Sequence, residues 1–130
     1  MKKIIAFILS FFALFSVASC KDESSGENTY QQISADEAKA LMDTEKDYII
    51  IDARTQSEYD AGHIEGAILI PEYEIAERAE KELPNKAQLI LVYCRSGRRS
   101  KIAAQALADL GYTNVKEFGG IIDWKYEIVK

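Results

Sequence analysis

Two short, uninterrupted apolar segments constrain the fold of this 130-residue chain more than any other feature. Residues 48–51 (Tyr-Ile-Ile-Ile) lead into Asp52, and residues 89–93 (Leu-Ile-Leu-Val-Tyr) lead into Cys94. Both segments have the length of a strand, and neither shows the polar alternation of a strand with one solvated face. Such segments are typical of strands that are buried on both faces of a parallel sheet.

Helix signals separate these segments. Ser34 with Glu37, and Thr55 with Glu58, form the Ser/Thr-x-x-Glu pattern of a capping box at a helix start. Apolar spacing predicts further helices at residues 73–83, at 99–110 with Ile102 on the buried face and Gly111 as the cap, and at 121–129. Further strands are expected at residues 30–33, 67–70 and 115–118. Strands that alternate with helices in this way predict an α/β fold, with a parallel sheet covered by helices on both faces.

The first twenty residues differ in composition from the rest of the chain. Two lysines precede residues 4–18, of which 13 are apolar and none is charged, and small residues then lead to Cys20. This order is that of a secretory signal, and the apolar segment is shorter than the roughly 20 residues that a spanning helix needs. The sequence Val-Ala-Ser-Cys at residues 17–20 resembles the lipobox of bacterial lipoproteins, in which the cysteine is acylated after cleavage.

This resemblance implies three regions: a signal peptide at residues 1–19, a lipidated Cys20 with a polar tether up to residue 29, and one folded domain at residues 30–130. The protein would then be an exported bacterial lipoprotein of the cell envelope, held by its acyl chains on the periplasmic face or the outer surface. An ordinary cleavage site next to Cys20 and a permanent membrane span are the alternatives.

The charge of the chain limits its binding partners, and its two cysteines limit the disulfides that it can form. Without its first twenty residues the chain has 14 basic and 21 acidic side chains, a net charge of −7, which argues against nucleic acid as a partner. If Cys20 is lipidated, it cannot form a disulfide with Cys94, the other cysteine of the chain. A lone thiol in a compartment that oxidises thiols suggests that the thiol itself is useful.

The segment after the second apolar strand concentrates reactive groups. Cys94 is followed by Arg95-Ser96-Gly97-Arg98-Arg99-Ser100 and then by a predicted helix. In an open α/β sheet, ligands bind where parallel strands end, and a helix N-terminus favours an anion there. The helix dipole and the three arginines are expected to lower the pKa of Cys94, while Gly97 permits a tight turn. The plain alternative is a buried structural cysteine with arginines on the surface.

At this point the sequence resembles the rhodanese family over about residues 33–124. The segment from Cys94 to Ser100 resembles the active-site loop of the family, and Cys94 matches its catalytic cysteine. Residues 51–54 (Ile-Asp-Ala-Arg), 58–59 (Glu-Tyr), 62–67 (Gly-His-Ile-Glu-Gly-Ala) and 70–71 (Ile-Pro) resemble its N-terminal signature. Gly119, Gly120 and Trp124 are similar to the segment that closes family domains behind the loop.

The resemblance implies a three-layer domain with a five-stranded parallel sheet and a sulfurtransferase mechanism. In it, the Cys94 thiolate takes the sulfane sulfur of a small anionic donor such as thiosulfate, and the persulfide passes it to a thiol or to cyanide. Residues 95–100 would bind the anion: Arg95, Ser96, Gly97, Arg98, Arg99 and Ser100. No metal and no organic cofactor is implied, and we expect a monomer that could meet a sulfur-acceptor or redox partner protein.

Other polar residues are expected to support the loop rather than to react. Asp52, Arg54 and Glu58 are interpreted as a buried charge network, and Trp124 as a lid over the core. His63, the only histidine, is interpreted as structural, although a Cys–His pair with Cys94 is the alternative.

Two other functions stay open on the same fold. Phosphatases and arsenate reductases also place a cysteine and an arginine on an anion-binding loop, but in the family those members use a loop one residue longer than the six residues from Cys94 to Arg99. Here Tyr93 also stands where tyrosine phosphatases have histidine. A binding module or redox relay that uses Cys94 without turnover is the other alternative.

Overall fold

The computed structural model describes residues 29–130, which form five strands and four α-helices. The elements in chain order are β1 (Gln31–Gln32), α1 (Ala35–Thr44), β2 (Tyr48–Asp52), α2 (Gln56–Ala61), β3 (Ile68–Leu69), α3 (Ile75–Glu82), β4 (Leu89–Cys94), α4 (Arg98–Asp109) and β5 (Val115–Gly120). Short 3₁₀ turns at Glu72–Glu74 and Ile121–Asp123 precede α3 and follow β5. The predictions for residues 1–28, including lipidation of Cys20, lie outside the described residues.

The sheet has the strand order β1-β5-β4-β2-β3, and every strand pair is parallel. All six residues of β4, the central strand, are buried. Alternate residues of β4 point to opposite faces: Ile90, Val92 and Cys94 pack with residues of α3 and α4, whereas Leu89, Leu91 and Tyr93 pack with α1 and Phe118. The predicted three-layer α/β fold with a five-stranded parallel sheet is confirmed.

Both predicted capping boxes are present. Ser34 Oγ accepts the Glu37 N–H over 3.0 Å, and Glu37 Oε1 accepts the Ser34 N–H over 2.9 Å. Thr55 and Glu58 make the same reciprocal pair at the start of α2, with distances of 3.3 and 3.0 Å. These bonds satisfy N–H groups that a helix cannot pair internally, so α1 and α2 start at the predicted positions.

Two predictions about the fold are wrong. Residues 121–129 form no closing helix: after the 3₁₀ turn the chain runs irregularly, and Val129 forms an antiparallel bridge to His63 with two N–H···O bonds of 2.8 Å. These bonds, together with the β-branched Ile128 and Val129, which favour extended backbone, outweigh the helical spacing. Ile102 is 46% exposed because the buried stripe of α4 follows Ser100, Ala103, Ala104 and Leu107, and Ile102 points away from it.

Within residues 29–130, no helix combines the length and the apolar composition that crossing a membrane would require.

Candidate active site

Cys94 is the last residue of β4, and α4 begins four residues later. The turn between them depends on Gly97, the residue before α4, whose φ of 114° lies in the left-handed region that side chains rarely adopt. This turn brings the backbone N–H of Gly97 back to the side chain of Cys94. Cys94 itself is buried, and its side chain lies on the α4 face of the sheet.

Two groups of the loop reach the sulfur atom. The Gly97 N–H donates to Cys94 Sγ over 3.0 Å, and the thiol donates to Ser100 Oγ over 3.4 Å. Burial disfavours the thiolate, but the Ser100 hydroxyl and the backbone N–H groups of residues 96, 97 and 100 favour it by more, so the pKa of Cys94 lies below its ordinary value. The donors that lower the pKa of Cys94 are therefore the Ser100 hydroxyl and backbone N–H groups, whereas the sequence predicts the helix dipole and the three arginines as the cause.

The three arginines of the loop occupy different positions. Arg95 and Arg98 are exposed. Arg99 makes a bidentate ion pair with Glu58, with both N–O distances at 2.9 Å. This pair, aided by Thr55, lowers the pKa of Glu58 from 4.5 to about 2, although partial burial opposes the charge. Arg99 therefore fastens the start of α4 to α2.

The predicted network of Asp52, Arg54 and Glu58 is wrong in one member, because Glu58 belongs to the Arg99 pair. Asp52 and Arg54 do form a buried bidentate pair, with Nε–Oδ1 at 2.8 Å and Nη2–Oδ2 at 2.7 Å. Arg54 Nη2 also donates to the Gly62 carbonyl over 2.7 Å. The pair thus connects the end of β2 to the turn after α2.

Tyr93 extends this network to the active strand. Its hydroxyl donates to Asp52 Oδ2 over 2.7 Å and accepts the Ile64 N–H over 3.1 Å. Burial, followed by the charge of Asp52, raises the pKa of Tyr93, so the phenol stays protonated. The residue next to Cys94 is therefore fixed on the opposite face of the sheet from the sulfur.

The His63 ring contacts Tyr59 and makes no hydrogen bond to Cys94 among the described residues. Its ring stacks on Tyr59 with centroids 3.7 Å apart and planes 5° from parallel, and its Nδ1 lies 2.8 Å from the Tyr59 carbonyl oxygen. No hydrogen bond in the described part of the chain joins His63 to Cys94. This geometry supports a structural role for His63.

The end of β5 and the residues after it contact the backbone of the loop. Gly120 is the register partner of Cys94, and a Cβ at Gly120 would lie 2.0 Å from the Arg95 carbonyl oxygen. The Ile122 N–H donates to that same oxygen over 3.2 Å. Trp124 is half-buried against Phe118, with ring centroids 5.6 Å apart, on the face opposite Cys94. Gly120 thus supports the loop directly, whereas Trp124 packs against the core.

Glu117 is the residue at this site that sequence reasoning missed. It is 2% exposed, and its Oε2 accepts the Ser100 hydroxyl over 2.5 Å and the Gly119 N–H over 2.9 Å. The available signal was the pair Lys116-Glu117 inside the last strand. In a sheet covered on both faces, two adjacent charged residues cannot both point to solvent.

The described residues outside the loop provide the alternative centres to compare with it. A groove of about 620 Å³ lies between α1 and the C-terminal segment, but it is lined by no residue of the loop. Among residues 29–130, no group of three His, Cys, Asp or Glu side chains is arranged to hold a metal ion. The loop from Cys94 to Ser100 is therefore the candidate active site.

Comparison with known proteins identifies the family. Residues 34–127 match the family model of the rhodanese-like domain. The chain is 41% identical over 73 residues to thiosulfate sulfurtransferase PspE of Escherichia coli, covering 56% of this chain and 70% of that protein. It is 37% identical over 100 residues to thiosulfate sulfurtransferase GlpE of Coxiella burnetii, covering 74% of this chain and 88% of that protein.

A solved structure agrees with the sequence relatives. The rhodanese with anions from E. coli is similar with a TM-score of 0.61 at 38% identity, covering 64% of this chain and 98% of that one. The family model spans most of the described residues, and the strand–loop–helix unit around Cys94 lies inside the matched range. The chain therefore belongs to the rhodanese-like domain family, with thiosulfate sulfurtransferases among its homologues.

Proposed function

We propose that this protein is a sulfurtransferase that moves sulfane sulfur through a persulfide on Cys94. The observation that carries the proposal is the Gly97 N–H at 3.0 Å from Cys94 Sγ, in a turn that ends at the start of α4. A donor fixed in this position favours a negative charge on sulfur before any substrate arrives. The similarity to two thiosulfate sulfurtransferases supports thiosulfate as the donor.

In the first step the Cys94 thiolate attacks the outer sulfur of thiosulfate. A bond forms between Sγ and that sulfur, the sulfur–sulfur bond of thiosulfate breaks, and sulfite leaves with the electron pair. The enzyme then holds the persulfide anion. The thiolate is the nucleophile in this step, and the lowered pKa of Cys94 increases the fraction of the protein that carries it.

In the second step a thiolate acceptor or cyanide attacks the outer sulfur of the persulfide. The bond to Sγ breaks, Cys94 leaves as the thiolate, and the acceptor becomes a persulfide or thiocyanate. Exposed Arg95 and Arg98 flank the loop and supply positive potential for anionic donors that approach it.

Mass spectrometry of the protein after incubation with thiosulfate tests the proposal. We expect Cys94 to gain one sulfur, about 32 Da, with release of an equal amount of sulfite. Cys94→Ser is the matched control and should gain nothing. A folded protein that gains no sulfur from thiosulfate or from a low-molecular-weight persulfide refutes the proposal, and a protein that loads but passes sulfur to neither thiol nor cyanide is a binding or relay module instead.

We also propose that residues 1–19 are a lipoprotein signal and that Cys20 is the acylated residue, so that the domain is attached to a membrane of the cell envelope. The support is the order of basic, apolar and small residues before Cys20. Acyl labelling of the full chain should mark Cys20. A Cys20→Ala variant that still fractionates with membranes would show that the anchor lies elsewhere.

A further inference from the structure

Glu117 is a buried carboxylate that the sulfur-transfer steps do not use. Its two donors, the Ser100 hydroxyl and the Gly119 N–H, both bond to Oε2. No ion pair of residues 29–130 includes Glu117, because Arg99 is bound to Glu58, and Arg95 and Arg98 are exposed. Burying a charge without a cation beside it costs folding free energy. Because Glu117 is only two hydrogen bonds away from the reactive sulfur, through Ser100, its position requires a physical explanation.

The Ser100 hydroxyl has a single hydrogen, and several acceptors lie within reach of it. Besides the two side chains of Glu117 and Cys94, the Gly97 carbonyl oxygen lies 3.1 Å and the Gly119 carbonyl oxygen 3.4 Å from Ser100 Oγ, and Glu117 Oε2 is the nearest of them. Ser100 Oγ lies 2.5 Å from Glu117 Oε2 and 3.4 Å from Cys94 Sγ. When the hydrogen is directed to Glu117, Cys94 can only donate its own S–H to Ser100. That chain of bonds, from thiol to hydroxyl to carboxylate, suits a protonated Cys94.

Loss of the thiol proton creates a second anion on the same hydroxyl. The hydrogen of Ser100 then serves either Cys94 or Glu117, and the other anion loses a donor. The two negative charges also repel each other across a buried site, where screening by water is weak. Glu117 therefore opposes the free thiolate and limits the lowering of the Cys94 pKa that the loop donors cause.

The persulfide avoids most of this cost. Its charge lies on the outer sulfur, about 2 Å from Sγ along the new sulfur–sulfur bond. Sγ is then neutral, so the Ser100 hydrogen can remain with Glu117. Glu117 penalises the thiolate more than the persulfide.

We propose that Glu117 is a positioning residue which, acting through Ser100, biases Cys94 towards the sulfur-loaded form over the free thiolate. The proposal rests on the proposed persulfide chemistry. When sulfur is passed on, the bond between Sγ and the outer sulfur breaks and Sγ leaves as the thiolate. A destabilised leaving group makes discharge less favourable, so the protein retains sulfur until a strong acceptor arrives.

Titratable and charged groups on the neighbouring elements are few. They comprise Lys116 on β5 itself, Tyr93 and Cys94 on β4, Arg95 of the loop, Arg98, Arg99, Lys101 and Asp109 on α4, and Tyr30, which packs against the Cys94 core beside β1. None of them hydrogen-bonds directly to Glu117 within residues 29–130. Replacement of Glu117 therefore acts on Cys94 chiefly through Ser100.

The test compares Glu117→Gln with Glu77→Gln, which removes the same charge from an exposed position on α3. In the first measurement, the rate of Cys94 alkylation is followed against pH. Glu117→Gln should move the inflection about one pH unit lower, since a neutral amide leaves the Ser100 hydrogen to the thiolate. Glu77→Gln should leave the inflection unchanged.

The second measurement is the loading equilibrium in mixtures of thiosulfate and sulfite, at a pH above both inflections. Glu117→Gln should shift the equilibrium about 10-fold from persulfide towards thiolate, the same factor as one pH unit. If Glu117→Gln does not fold, Glu117→Asn removes the charge with a smaller side chain and should shift both measurements in the same directions.

An alkylation inflection that stays in place or rises in the folded neutral variants overturns the proposal. So does a lower inflection without a change in the loading equilibrium. If the wild-type protein never loads sulfur, the proposed function fails and the sulfur-retaining role fails with it. The alkylation profile, which needs no sulfur donor, then still shows separately whether Glu117 opposes the thiolate.

Discussion

Gly120→Ala should disable the loop by steric contact alone. Gly120 has a φ of −125°, an ordinary extended conformation that any residue can adopt, so the substitution introduces no backbone strain of its own. Its added methyl group would lie 2.0 Å from the Arg95 carbonyl oxygen, 2.4 Å from the Arg95 carbonyl carbon and 2.5 Å from the Ser96 Cα. All three are backbone atoms of the loop that carries Cys94, and none can rotate away.

The magnitude follows from these distances. The shortest contact, 2.0 Å, must open by about 1 Å before it reaches a tolerable separation. Overpacking of this kind costs about 1–3 kcal/mol of stability. A shift of about 1 Å in a reacting group costs about 100-fold in rate, because the reacting atoms leave the geometry of attack. We therefore expect Gly120→Ala to load sulfur about 100-fold more slowly while it still folds.

Single-turnover loading with thiosulfate and urea denaturation measure the two effects separately. Gly66→Ala is the matched control: Gly66 has a φ of 87° and no atom within 4 Å of an added Cβ, so it incurs backbone strain of about 1–2 kcal/mol without touching the loop. Both variants should lose stability, but only Gly120→Ala should lose loading rate. Loading by Gly120→Ala within twofold of wild type would show that the loop does not depend on this contact.

Three further predictions concern the supports of the site. The ion pair with Arg99 lowers the pKa of Glu58 to about 2, against 4.5 in the unfolded chain. The contribution of this pair to the free energy of unfolding is therefore complete above pH 4.5 and is lost as the pH falls from 4.5 towards 2. Glu58→Gln should remove about 0.5–1 kcal/mol of that acid-dependent stability, allowing for partial exposure, as measured by urea denaturation at pH 7 and pH 3. Tyr93→Phe should destabilise the protein by about 2–3 kcal/mol in thermal denaturation, because Asp52 loses a charge-assisted bond and the Ile64 N–H loses its acceptor; a loss below about 0.5 kcal/mol would show that water replaces the hydroxyl. His63→Ala should load sulfur within about twofold of wild type, since its Nδ1 faces the Tyr59 carbonyl; a folded His63→Ala that cannot load would require a Cys–His mechanism.

The parts of the fold that the sequence predicts are those set by local physics. A capping box at Ser34 acts over three residues, and the apolar segment of β4 is buried whatever its partners are. The position of Cys94 follows from two such signals in succession, a strand end and a helix start. The reactive loop could therefore be predicted before any tertiary contact was known.

The parts that the sequence could not predict depend on distant partners. Glu58 and Arg99 are 41 positions apart, and the sequence pattern groups Glu58 with Asp52 and Arg54 because they are near neighbours. The closing segment has helical spacing, but its bridge from Val129 to His63 decides its conformation. Glu117 and Ser100 lie 17 positions apart, on β5 and α4, and the packing of α4 against β5 brings them together.

The three arginines of the loop have two different roles: one holds the loop in place, and the other two attract an anionic substrate. Arg99 is neutralised by Glu58, whereas Arg95 and Arg98 keep exposed guanidinium groups. At 0.1 M salt, attraction between exposed charges is largely lost beyond about 10 Å. A hydrogen bond from a buried N–H is not weakened by salt in this way. The exposed arginines therefore act on an anion that approaches, while the Gly97 N–H and the Ser100 hydroxyl act on sulfur at Cys94. A loop of the same net charge without the left-handed turn at Gly97 would attract anions and leave Cys94 unactivated.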